Sequence, residues 1–272
     1  MLKFKKKIIL DQKSFFDLNA IFVKEQGAVE KGFFHEYAFK QVTKGFRWIG
    51  ESCERVLDYG CGIGLTLEQY LVVNAGREVD IVGVDISENC IRVIEQKYPN
   101  GKFEVIEDND LSFLNDESVD ACYIVHVLHH SEKHADIYSE LYRVCEKGGK
   151  LLVVDLTSTN LLINISRSLF LFSLRFITNK FSDDLVIDGD IPEKLTVIPS
   201  EVVEGLEGLG FVVEKIDHGH LFLFVLDWFS KITNMSLPSC VLAFLLKIEK
   251  KLLKYDFFKK RAHLFCIYAR KI

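Results

Sequence analysis

The sequence predicts an α/β domain built on a doubly wound, mostly parallel sheet of seven strands. Three observations predict it. Between residues 54 and 155, short β-branched runs alternate with stretches of helical periodicity. The first run passes through a glycine-rich turn, VLDYGCGIG (56–64), directly into a helical stretch. The same beat resumes at residue 199 and closes with HLFCIYARK (263–271). Such alternation implies βαβ units, hence parallel strands with helices on both faces.

Taken in order, the N-terminal segment 12–49 reads as helical, and RVLDY (55–59) as the first strand. LTLEQYLVV (65–73) is a helix and VDIVGVDIS (79–87) a second strand. ENCIRVIEQKY (88–98) carries apolar residues at helical spacing behind Ser87, which suits an N-cap. KFEVIE (102–107) and VDACYIVHV (119–127) are the third and fourth strands. ADIYSELYRVC (135–145) is a helix that Lys147-Gly148-Gly149 should close, before a fifth strand, KLLVVDL (150–156). PSEVVEGLEGLG (199–210) is a helix with a glycine stop, and FVVEKID (211–217) a sixth strand. Apolar excursions at 157–198 and 218–262 interrupt this rhythm, with no Pro- or Gly-rich linker between the parts. One domain, 1–272, is therefore expected, with a core of 50–156, 199–217 and 263–272 and two helical insertions.

Composition narrows the class. With 49% hydrophobic and 27% charged residues, the 272-residue chain can bury a large core. A net charge of -5 argues against a nucleic-acid partner. The seven cysteines form no CxxC pair and several lie inside strand-like runs, which favours reduced thiols, a cytoplasmic location and no structural metal. No apolar run is long enough to predict a membrane-spanning helix.

The glycine turn carries the chemistry. A strand–glycine turn–helix lets a ligand approach the backbone near a positive helix N-terminus. The dinucleotide spacing GxGxxG fails here, because Leu65 stands where the third glycine belongs. Asp58, two residues before Gly60, would repel a pyrophosphate but suits a cation. S-adenosylmethionine carries a sulfonium and an ammonium and no phosphate, so the acidic turn favours it over NAD. Asp85 ends the second strand about 20 residues beyond the glycines, where a ribose diol is held.

These residues resemble the class I S-adenosylmethionine-dependent methyltransferases, particularly the quinone-biosynthesis C-methyltransferases. VLDYGCGIG is similar to their first motif and VDIVGVDIS to their second. EDNDLSFLNDESVDACYIVHVLHH (107–130) is similar to the adenine segment and fourth strand, with Ser112 in place of a usual proline and Tyr59 bulkier than usual. The resemblance implies a Rossmann-like sheet whose last strand is antiparallel, and a helix from 27–48 over the cofactor. It implies S-adenosylmethionine as cofactor and S-adenosylhomocysteine as product. It places Asp58, Gly60, Cys61, Gly62, Gly64, Asp85, Ile86, Asp108, Asn109 and His126 at the cofactor, with Asp108 the choice for the adenine amine. Because a sulfonium methyl is already activated, transfer depends mainly on alignment and desolvation. A base is needed only for an acceptor that loses a proton, and His126 or His129 suits that role. Asp155, at the tip of strand five, is a further residue that would face the acceptor.

Both insertions leave the sheet on the acceptor side and are apolar: SLFLFSLRFI, HLFLFVLDWF and LPSCVLAFLLKIEKKLLKYDFF. From Lys247 to Arg261, seven Lys or Arg face only Glu249 and Asp256. Two readings stay open: a helical cap packing its own core, or a face for anionic membrane and a lipid-like acceptor. The expected function is methyl transfer to a small, hydrophobic or lipid-linked acceptor. The rivals are an NAD-dependent oxidoreductase and a non-catalytic adenosylmethionine-binding module. Nothing in the sequence predicts the oligomeric state.

Overall fold

The computed structural model describes residues 33–157, 197–221 and 239–272. Expectations for 12–32, for almost all of the insertion 157–198, and for 222–238 lie outside the described residues. Helix α1 (Phe33–Gly50) is followed by β1 (Arg55–Tyr59), α2 (Leu65–Val73), β2 (Asp80–Asp85), α3 (Glu88–Lys97) and β3 (Lys102–Val105). Then come β4 (Val119–Val125), a 3-10 turn (Leu128–His130), α4 (His134–Val144) and β5 (Cys145–Leu156). The rest is α5 (Pro199–Leu209), β6 (Phe211–Gly219), α6 (Ser239–Leu252), α7 (Asp256–Lys259) and β7 (Leu264–Lys271).

The strands form one sheet in the order β3-β2-β1-β4-β5-β7-β6. Pairs within β1 to β5 are parallel, and β7 runs antiparallel to both β5 and β6. From β1 the chain winds outward to β2 and β3, then crosses back to place β4 on the other side of β1. Winding therefore reverses between β1 and β4, and ligands of open α/β sheets bind at the carboxyl ends of such strands.

Period-two alternation assigns each strand residue to a face. On β4, Cys122 and Ile124 pack with Ile137, Leu141, Val202 and Leu206 of α4 and α5. Ala121, Tyr123 and Val125 pack on the opposite face with Phe46 of α1, Tyr70 of α2 and Ile94 of α3. Each fully buried side chain of this size contributes about 1.5–3 kcal/mol. Ser87 caps α3 as expected, its Oγ accepting from the Cys90 N–H at 3.1 Å. Gly210 ends α5 in the left-handed conformation.

One boundary differs from expectation. Lys147-Gly148-Gly149 does not close α4, which ends at Val144; the glycines lie inside β5, where pairing with β4 slips between Val119 and Ala121. A Cβ on Gly149 would sit 2.6 Å from Cys145 Sγ and 2.9 Å from the Asp120 carbonyl oxygen, so this irregular crossing excludes a side chain.

Two buried lysines bind the layers together. Lys271 ends β7 yet is 4% exposed; its Nζ donates to the carbonyls of Tyr142 at 2.9 Å and Cys145 at 2.8 Å, capping the end of α4. Lys150 Nζ donates to the Trp48 carbonyl of α1 at 2.5 Å. The same helix end is held by Asn74 Nδ2 on the Phe46 carbonyl at 3.2 Å, and by Arg77 on the Gly50 carbonyl.

Candidate active site

The glycine turn leaves β1 at the switch point. Gly60, Gly62 and Gly64 all have positive φ (79°, 49° and 82°), a region that L side chains enter at a cost. The Gly60 and Cys61 N–H groups both donate to the Val84 carbonyl, at 2.8 and 2.9 Å, which ties the turn to β2. A Cβ on Gly60 would overlap the Val127 side chain, and one on Gly64 would lie 2.9 Å from the Tyr98 ring. At Gly62 a Cβ would meet nothing within 4 Å, so the space over the middle of the turn is open to a ligand. Cys61 itself is buried, and burial beside Asp58 and Asp85 holds its thiol well above the ordinary range.

Asp58 lies beneath the turn, 1% exposed. Its Oδ2 has no hydrogen-bond partner. Burial pushes its pKa up to about 7, opposed by the nearby Tyr123 and Thr66 hydroxyls and reinforced by Asp85. A buried carboxylate oxygen without a partner is costly unless a cation or donor meets it. Asp85 bridges two segments: Oδ2 accepts from the Gly62 N–H at 2.8 Å and Oδ1 from the Ser87 N–H at 2.9 Å. Ile86, next in line, is half-buried against the adjoining core.

The adenine candidates separate. Asp108 and Asn109 both have positive φ, 51° and 65°. Asp108 is 86% exposed on its side chain and pairs with Lys133 at 2.7 Å, which holds its pKa below the usual range. Asn109 is half-buried, and its Oδ1 accepts from the hydroxyl of Tyr59 at 2.8 Å. Tyr59 ends β1, so the bulky residue that departs from the expected motif fastens the Asp108–Asn109 segment to the glycine turn.

A second group gathers at the carboxyl ends of β4 and β5. His126 has φ 59° and donates its N–H to the Val154 carbonyl at 2.8 Å. His129 lies on the next turn, with ring centroids 6.3 Å from His126 and 3.8 Å from His130. Its Nδ1 lies 2.5 Å from Oδ1 of Asp155, which is 1% exposed. Burial would raise the Asp155 carboxyl, but the His129 hydrogen bond and charge, with help from His126, hold it below the ordinary range. Burial beside His129 pushes His130 down to about 4. His220 and His263 border this edge: the His263 N–H donates to the His220 carbonyl at 3.0 Å, and His263 Nδ1 meets the Thr157 carbonyl at 2.7 Å. No motif marks either residue in the sequence; each stands beside a strand end, His220 after β6 and His263 before β7, and the pairing of β6 with β7 brings those ends together.

The residues fit S-adenosylmethionine. An open backbone cradle over Gly62, a buried carboxyl oxygen without a hydrogen-bond partner beneath it, and Asp85 oriented by the cradle match a ligand with an ammonium and a ribose. Comparison with known proteins agrees. Residues 57–153 match the family described as "Methyltransferase domain". Over 112 residues, 39% of this chain and 30% of the other, the sequence is 30% identical to 24-methylenesterol C-methyltransferase 2 of Oryza sativa subsp. japonica. It is 32% identical over 102 residues to the demethylmenaquinone methyltransferase of Renibacterium salmoninarum, covering 38% of this chain and 41% of that one. The matches span about half or less of the curated relatives' own length. The crystal structure of a SAM dependent methyltransferase from Archaeoglobus fulgidus superposes with a TM-score of 0.56 at 21% identity, covering 94% of this chain and all of that one. The motif segment, the sheet order and the cradle agree: residues 57–153 are similar to a methyltransferase domain, and the chain has the fold of an S-adenosylmethionine-dependent methyltransferase.

Proposed function

We propose that this chain transfers the methyl group of S-adenosylmethionine to a small, hydrophobic or lipid-linked acceptor. The observation that carries the reading is the partnerless buried oxygen of Asp58 under an open glycine turn. Asp58 is the seat for the ligand ammonium, and the backbone from Gly60 to Gly64 packs against the methionine portion. Asp85 takes the ribose hydroxyls, beside Ile86. Asn109, with Asp108 next to it, faces the adenine, and His126 borders both cofactor and acceptor. When bound, S-adenosylmethionine supplies a sulfonium methyl activated for in-line displacement. The protein's task is then to align the acceptor and exclude water.

An apolar acceptor is supported by the sterol and quinone chemistry named for the relatives. It is supported as well by the surface of α6 and α7. Phe244, Tyr255 and Phe257 are each at least 60% exposed, among the exposed Lys247, Lys250, Lys251, Lys254, Lys260 and Arg261. Apolar side chains within a basic surface fit the interface of an anionic membrane. Cosedimentation should show preference for phosphatidylglycerol-containing over pure phosphatidylcholine vesicles, weakened by salt; equal binding to both would remove the membrane contact.

The test of the main reading is calorimetry with S-adenosylhomocysteine and NADH, then transfer of labelled methyl to hydroquinone and sterol acceptors. Micromolar adenosylhomocysteine binding with no NADH binding is expected. NADH binding would favour an oxidoreductase. Adenosylhomocysteine binding without transfer to any acceptor would favour a non-catalytic binding module.

A further inference from the structure

The pairing of His129 with Asp155 has a consequence for the acceptor. Asp155 sits at the carboxyl end of β5, buried, and a backbone N–H donates to each of its two oxygens. Its Oδ1 accepts from the Leu156 N–H at 2.6 Å and faces His129 Nδ1 at 2.5 Å, while Oδ2 accepts from the His129 N–H at 3.3 Å. A carboxyl surrounded by donors is held as the anion, and an anion can only accept. The bond to His129 therefore needs its proton on Nδ1. In the neutral ring Nε2 then has a lone pair and no hydrogen. The contact with the His129 backbone fixes the turn as well as the ring, so one residue sets both position and tautomer.

We propose that Asp155 is the positioning residue of a general base, His129, and that the acceptor is accordingly a nucleophile that sheds a proton: a hydroquinone, a phenol or an equally acidic carbon. The inference rests on the methyltransferase reading above. The step balances without another reagent. His129 Nε2 takes the proton from the acceptor, and the electron pair so released forms the bond to the methyl carbon. The carbon–sulfur bond breaks with its electrons staying on sulfur, leaving a neutral thioether and an imidazolium beside Asp155. The imidazolium then returns its proton to water. The groups facing this pair are His126 and His130 on the same stretch, Tyr138 of α4, and His220 beyond β6, which lies within electrostatic reach of His126. None of these four carries a negative charge as it stands, so the Asp155 carboxylate is the anion beside His129, and it stabilises the imidazolium that forms when Nε2 takes a proton.

Nitrogen-15 spectra of the full-length, histidine-labelled protein with adenosylhomocysteine bound test the tautomer directly. The His129 signals are assigned by their loss in His129→Gln. In the wild type, neutral His129 should carry its proton on Nδ1, and in Asp155→Asn that preference should vanish. A prenylated hydroquinone is the acceptor probe. Its turnover should rise with pH as one group loses its proton, and fall about a hundredfold in Asp155→Asn with an unchanged KM for S-adenosylmethionine. A wild-type proton on Nε2 overturns the proposal even if Asp155→Asn fails to fold. So does a protein that binds adenosylhomocysteine but leaves the hydroquinone unmethylated. Failure to bind adenosylhomocysteine at all would instead sink the methyltransferase reading, a separate result.

Discussion

Asp58→Asn should reduce S-adenosylhomocysteine affinity by about a hundredfold or more while leaving the empty protein at least as stable as wild type at pH 8. The first half follows from removing the buried carboxylate under the turn that would meet a ligand ammonium, since losing one partner of a buried ionic contact costs about 3–5 kcal/mol. The second half follows from the carboxyl's raised pKa. Its folded value is about 7 and its ordinary value 3.8. Between those values the folded chain holds a proton that the unfolded chain has released, so folding stability declines as pH rises from about 4 to 7. Above pH 7 the loss is complete, and a shift of some three units corresponds to at most about 4 kcal/mol. Asparagine keeps the shape and never ionises, so its melting temperature should be flat where the wild type declines. The same linkage makes wild-type binding release a proton near neutrality, visible as calorimetric heats that depend on the buffer. Thermal melts at pH 5 and pH 8, with calorimetry at both, check all three parts; a variant binding within threefold of wild type would remove Asp58 from the site.

Lys271→Met should cost about 2–4 kcal/mol of stability, since two carbonyls buried at the end of α4 lose their donor and each unmet group costs about 1–3 kcal/mol. Methionine keeps the stem that lies along the Tyr142 ring, whose centroid is 4.4 Å from Nζ, so little packing is lost. The ion pair with Glu117 at 3.3 Å, half-exposed on the glutamate side, adds little. Urea unfolding should give a lower midpoint at an unchanged slope; a midpoint within error of wild type would mean that water reaches those carbonyls.

These two residues also mark what the sequence made legible. Asp58 was readable because its meaning is local: a carboxylate two residues before a glycine turn is a short-range signal. So were β1 to β5, whose β-branched runs and intervening helices repeat at short distance. Lys271 was invisible, since it is a lysine near the end of the chain, and its partners lie more than 120 residues earlier. The interruption of β5 was misread because Lys147-Gly148-Gly149 is a good helix stop by local rules. Only the crowding by Cys145 and the Asp120 carbonyl explains why a strand needs glycine there. The His129–Asp155 pair shows the middle case. Both residues were visible as strand-end candidates, but their contact across 26 positions depends on β4 lying beside β5. Asp108 and Asn109 were legible by type and order, but the bond from Tyr59 to Asn109 joins residues 50 positions apart and has no local signal.

The last turn of α1 has a mechanical consequence. Helix ends ordinarily loosen first, because their final carbonyls lack intrahelical partners. In α1 those of Phe46, Trp48 and Gly50 are taken by side chains from the residue that caps α2, from β5 and from the loop beyond α2. The helix is thus anchored at its carboxyl end, against the sheet. Fraying of α1 is expected to begin at its amino end and to stop short of residues 46–50.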